Sequence, residues 1–131
     1  MKYTIREYNG KNVDPQKVAE LVEQFFREEG FKVQTGKGSN AYIVQAQKGG
    51  FFRTLLAMNR AFTAIIKGDK DDFMVKLGVA EWLADLGMAA IESLFLSPAI
   101  AFVEVPESLW TFEIEHQLWH FIENQIQLGI Q

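Results

Sequence analysis

The sequence contains no cysteine, which excludes a disulfide framework, a thiolate zinc site and a cysteine nucleophile, and which fits a reducing compartment. Proline is scarce, with three residues in 131, and histidine scarcer still, with two. Positive charge runs out early: after Lys76 there is no Lys or Arg. The opening stretch MKYTIREYNG is charged and has no apolar run, so it reads as neither a signal nor a transit peptide. A cytoplasmic location is the expectation. No serine sits in a GxSxG setting and no HExxH occurs, so the usual signatures of a serine nucleophile and of a zinc peptidase are both missing. Repeats and low-complexity stretches are absent as well.

What is present is ample material for a core. Hydrophobic residues make up 48% of the chain, with eleven Phe and three Trp, enough at this length for one domain over residues 1–131 to bury a continuous core unaided. Charge is distributed unevenly. Residues 1–70 hold 12 of the 13 basic residues against 7 acids, whereas residues 71–131 hold Lys76 against 10 acids. Such a division fits a basic surface facing acidic helices within one fold or across a symmetric oligomer, and next to that an anionic partner for the basic half.

Residues 2–8 alternate as a short strand, and Asn9-Gly10 closes it with a turn pair. Asp14 is a suitable N-cap and Pro15 suits a first helical position, while Val18, Leu21, Val22 and Phe25 follow the spacing of one buried face up to a stop at Gly30. FKVQT and AYIVQAQ then read as strands joined by the turn GKGSN. FFRTLLAMNR fits neither a helical nor a strand period. AFTAIIKG and FMVKLGVAEW form a second hairpin across Asp69 to Asp72, with Phe73, Val75, Leu77 and Val79 on one face.

Residues 83–105 are strongly apolar but interrupted by Asp85, Glu92 and Ser97-Pro98, and no Lys or Arg flanks them. A membrane span requires roughly 20 apolar residues and tolerates a central charge poorly. The segment therefore reads as a core helix, or as an interfacial or oligomer-burying one. From about Pro106 to Leu128 a last helix carries an apolar arc of roughly 200°, wider than the stripe of an ordinary surface helix.

On the polar arc of that helix Glu113, His116, His120 and Glu123 line up, a spacing compatible with a transition metal or with proton transfer as well as with a solvated face. TGKGSN offers amides and Lys37 to a phosphate but joins strands rather than opening a helix, so a hairpin turn is the simpler reading. KGGFFR has basic and aromatic residues out of register with RNA-recognition sheets, and nucleic acid is not the expected partner.

Taken along its length, with VQAQKGGFFRTLLAMNRAFTAIIKG, EWLAD and LWHFIENQI, the chain resembles small uncharacterised bacterial α+β domains. That resemblance implies the fold and no assigned activity. The expected architecture is α+β, an antiparallel sheet of about four or five strands packed against an N-terminal helix and C-terminal helices. The expected function is non-enzymatic and without a cofactor. It is a binding module using Leu86, Ile91, Leu94, Phe95, Phe102, Trp110 and Trp119 to engage a second copy of itself, an apolar small molecule or a membrane surface. The alternative is a metal-binding protein or small enzyme centred on His116 and His120.

Overall fold

The computed structural model describes residues 3–38, 40–47, 60–83, 102–104 and 112–129. Strand β1 (Tyr3–Asn9) leads into helix α1 (Pro15–Glu28), followed by β2 (Lys32–Gly38), β3 (Ala41–Gln47), β4 (Arg60–Gly68), β5 (Asp72–Glu81) and helix α2 (Phe112–Gln127). The five strands form one antiparallel sheet in the order β1-β5-β4-β3-β2, so the first strand crosses to pair with the last. The α+β class, the antiparallel sheet and the two flanking helices agree with the sequence reading.

Local chemistry sets the element ends. The Asp14 carboxylate accepts from the Gln16 amide at 2.9 Å, occupying a donor that the first helical turn leaves free, and Pro15 follows it. At the other end Gly30 takes a positive φ of 86°, Gly30 N donates to Arg27 O and Phe31 N to Phe26 O, the paired bonds of a Schellman stop. Phe31 then folds back onto Phe26, their ring centroids 5.1 Å apart.

Successive strand residues alternate between the two faces of the sheet. One face carries Val44, Ala46, Phe62, Ala64, Ile66, Phe73, Val75, Leu77 and Val79, and both helices lie on it. From α1 come Val18, Val22, Phe25 and Phe26, and from α2 Leu118, Trp119 and Ile122. Phe26 is fully buried and stacks on Phe62 at 6.1 Å, whereas Leu21, expected in the buried stripe, is only half-buried. The helix is rotated so that the larger ring faces the sheet, since burying such an aromatic side chain is worth roughly 1.5–3 kcal/mol.

The first hairpin also differs from the expectation. Gly36, Lys37 and Gly38, read as turn residues, extend β2, and only residues 39 and 40 separate the strands. Asn40 adopts φ 54°, the left-handed conformation that a loop this short demands. FFRTLLAMNR through Asn59, the interior of the apolar run and the start of the last helix before Phe112 lie outside the described residues. Among the described residues no helix is long and apolar enough to cross a membrane.

Candidate functional site

The sheet face turned away from both helices is not left to solvent. It holds Ile43, Ile65 and Ala80, all buried, together with Gln45 and Thr63, which are 0% exposed. Two polar side chains withdrawn from water need partners, and the described residues supply them. The Gln45 amide nitrogen donates to Thr63 Oγ1 at 3.0 Å and to the Glu81 carbonyl at 2.8 Å, while its oxygen accepts from Leu83 N at 2.9 Å and Gln34 Nε2 at 2.8 Å. Gln34 Nε2 is also 2.8 Å from the Leu83 carbonyl. The chain leaving β5 is thereby clasped across the backs of β3 and β2.

The other end of the apolar run returns to the same face. Val103 N donates to the Val79 carbonyl at 2.8 Å, and Phe102 packs against the cluster of Ile43, Ile65 and Ala80. Phe102 also meets Tyr3, ring centroids 5.7 Å apart, with Lys76 Nζ 4.2 Å from the Tyr3 ring centre. Beside this contact Tyr3 and Ile5 remain 42% and 47% exposed. By the alternation of the strands Lys32, Lys67 and Lys76 share this face with the acids Glu7 and Asp72. Lysines thus outnumber carboxylates on the sheet face turned away from α1 and α2, with Lys76 beside the exposed Tyr3.

Phe102 and Trp119, named together from the sequence, lie on opposite faces. Trp119 belongs to the helix-side core and donates from Nε1 to Thr4 Oγ1 at 3.3 Å. Leu86, Ile91, Leu94, Phe95 and Trp110 lie outside the described residues.

His116 and His120 both project from the exposed side of α2, ring centroids 6.4 Å apart and 18° from parallel. Among the described residues no group of three or more His, Asp or Glu side chains is placed to hold a metal ion. Glu123, aligned with them in the sequence, instead reaches across to β1, pairing with the Arg6 guanidinium and accepting from the Tyr8 hydroxyl at 3.4 Å. Arg6 lies over the Trp119 ring at 4.8 Å. Burial pushes the Tyr8 phenol up to about 12, with the Glu123 carboxylate adding to the rise and Arg6 opposing it.

A third feature is a cleft of about 440 Å³ between α1 and the outer strand β2, lined by Gln16, Ala19, Glu20 and Glu23 on one side and Thr35, Gly36 and Lys37 on the other. Neither this cleft nor the Gln45 clasp was marked out by motif. The signal for the clasp is Gln34, Gln45 and Gln47 at alternate positions of two strands destined for a covered face. No family model matches the chain. No match was found among curated proteins or among solved structures.

Proposed function

We propose that this chain is a non-enzymatic binding module that docks through its apolar residues 83–105, and that an anionic lipid surface is the occupant its charge pattern favours. The observation that carries the reading is the anchoring of Leu83 and Phe102 on one sheet face, beside exposed Tyr3 and Ile5, where Lys32, Lys67 and Lys76 outnumber Glu7 and Asp72. An apolar segment delivers affinity by leaving water, and lysines near an acidic lipid surface add about 1 kcal/mol each. The acid-rich α2 lies on the opposite face, where it would not oppose the approach.

Co-sedimentation with vesicles tests this. The chain should pellet with phosphatidylserine-containing vesicles, less with pure phosphatidylcholine, and progressively less as salt is raised. Replacing Lys67 and Lys76 together by Glu should release it. Retention of the chain in the supernatant with both lipids, on a sample that sediments as a monomer and binds no apolar dye, sinks the proposal. A vesicle-indifferent oligomer assigns the apolar run to self-association instead, and binding of a dye alone assigns it to a small apolar ligand.

The parallel imidazoles of His116 and His120, one helical turn apart and both exposed, support a second reading, that of a divalent metal site with two protein ligands. A rise in melting temperature on adding Zn²⁺ that disappears in the His116→Ala/His120→Ala variant is its sign.

A further inference from the structure

The geometry of the first hairpin fixes where the peptide groups of β2 point. With two residues in the loop, Gly38 and Ala41 close the hairpin as a hydrogen-bonded pair, and Gly36–Ile43 and Gln34–Gln45 repeat that pattern along the ladder. The N–H and C=O groups of Val33, Thr35 and Lys37 therefore face away from β3. One of them is seen to do so: the Val33 carbonyl accepts from Arg27 Nη2 at 3.5 Å. Among the described residues β2 is the outermost strand on this side.

The cleft beside α1 opens along this same edge. Thr35 and Lys37, whose side chains are exposed on the helix side, line it together with Glu20 and Glu23 of the facing helix, and Tyr42 lies beneath. Lys37 marks one end, its Nζ 3.5 Å from Gln16 Oε1 and 5.9 Å from the Tyr42 ring centre. Arg27 stands at the other. Among the described residues Glu20 and Glu23 pair along their own helix, with Lys17 at 3.6 Å and Arg27 at 2.9 Å. Exposed pairs of that kind contribute about 0–1 kcal/mol, so an arriving cation displaces them at little cost.

We propose that this cleft binds an extended peptide, which adds as a further strand along Thr35 to Lys37 and directs a Lys or Arg side chain to the Glu20 and Glu23 carboxylates. Strand addition satisfies the outward peptide groups of Thr35 and Lys37, and alternate side chains of the added strand enter the cleft, as in other edge-binding domains. The cleft's volume lies in the usual range of roughly 300–1,000 Å³ for binding sites. The two carboxylates on the helix wall make a basic side chain the complementary choice.

The test uses the full ¹⁵N-labelled chain and three probes: acetyl-Val-Lys-Val-Lys-Val-amide, its Glu-for-Lys counterpart, and the Lys peptide N-methylated at the central Val. The Lys peptide should shift the amide signals of Thr35, Gly36, Lys37, Glu20 and Glu23. It should also slow hydrogen exchange at Thr35 and Lys37 by about tenfold when free peptide is about nine times its dissociation constant. The N-methylated peptide should do neither, and Glu20→Lys/Glu23→Lys should transfer the preference to the Glu peptide. The same spectra report whether that variant is folded. No response at millimolar peptide, shifts confined to another face, or equal responses to all three peptides overturns the proposal. Protection of Thr35 and Lys37 that grows with protein concentration in the absence of peptide overturns it in favour of a second copy as the occupant.

Discussion

Gln45 and Thr63 stand directly opposite one another on β3 and β4, and the Gln45 amide donates to the Thr63 hydroxyl at 3.0 Å with both side chains fully buried. The Thr63 hydroxyl in turn donates to the Ala61 carbonyl at 3.1 Å, so the pair forms a chain of bonds rather than an isolated contact. Gln45→Leu keeps the volume but removes the acceptor of Leu83 N and the donor to Glu81 O. Each buried group left unsatisfied costs about 1–3 kcal/mol, so the variant is expected to lose about 2–4 kcal/mol in urea unfolding. Thr63→Val should lose less, because the Gln45 amide retains Glu81 O. Equal stabilities of Gln45→Leu and the parent chain would mean that the clasp over the chain leaving β5 carries no net energy.

The helix-covered half of the fold was legible because periodicity and capping agree there. Asp14, Pro15 and Gly30 bracket α1, and the alternation from Phe73 to Val79 assigns its residues to the covered face. Three things were not legible. The extent of β2 was hidden by Gly36 and Gly38, whose poor strand propensity mimics a turn although both are paired. The burial of the second face was hidden by its polar content, since Gln and Thr read as solvent-facing until the partner segment is in place. Glu123 looked like part of a solvated helix face, and only the crossing of β1 to the sheet edge brings Arg6 and Tyr8 within its reach. Periodicity within one element carries no information about long-range polar pairs of this kind.

Gly68 ends β4 at φ 131°, and its amide donates to the Asn40 carbonyl at 2.9 Å, tying two turns together. A Cβ built at this position lies 2.3 Å from the Asp72 carbonyl oxygen and 2.6 Å from Phe73 Cα, both backbone atoms that cannot swing aside. Gly68→Ala therefore combines an unfavourable φ with a backbone clash and is expected to cost about 2–4 kcal/mol. Gly10→Ala is the informative control. It also has positive φ, at 68°, but nothing lies within 4 Å of its Cβ, so only the conformational cost of about 1 kcal/mol remains. Thermal unfolding of the two variants separates clash from dihedral strain.

The contact between β1 and α2 should prove asymmetric in energy. Arg6 and Glu123 have side chains 44% and 48% exposed, so a double-mutant cycle on the ion pair should return a coupling of about 0.2–1 kcal/mol, reduced by salt. Arg6, itself half-exposed, also lies over the buried Trp119 ring, a contact worth about 0.5–1 kcal/mol for a cation that stays in water. Arg6→Ala is therefore expected to destabilise more than Glu123→Ala and to change the emission of Trp119, whereas Glu123→Ala should leave the emission closer to that of the parent. The reverse order would show that the stacking contributes nothing.

Alkaline stability follows from the phenol at the centre of that contact. Tyr8 ionises at about 12 in the folded chain against an ordinary value of 10.0, chiefly because burial disfavours the phenolate and secondly because Glu123 repels it. A group whose pKa is raised on folding contributes its full share of stability below the unfolded value and loses it as pH climbs through the folded one. The loss contributed by Tyr8 should thus develop between pH 10 and about 12, and Tyr42, raised by burial and by Asp14, adds in the same direction. Tyr8→Phe removes the titrating group at the cost of a long 3.4 Å bond to Glu123, so near neutral pH it should unfold at almost the parent's denaturant concentration. Above pH 10 its midpoint should fall less steeply than the parent's. Parallel midpoint curves for the two chains from pH 9 to 12 would show that the Tyr8 phenol titrates as it does in the unfolded chain, and that its burial against Phe73 imposes no charge penalty.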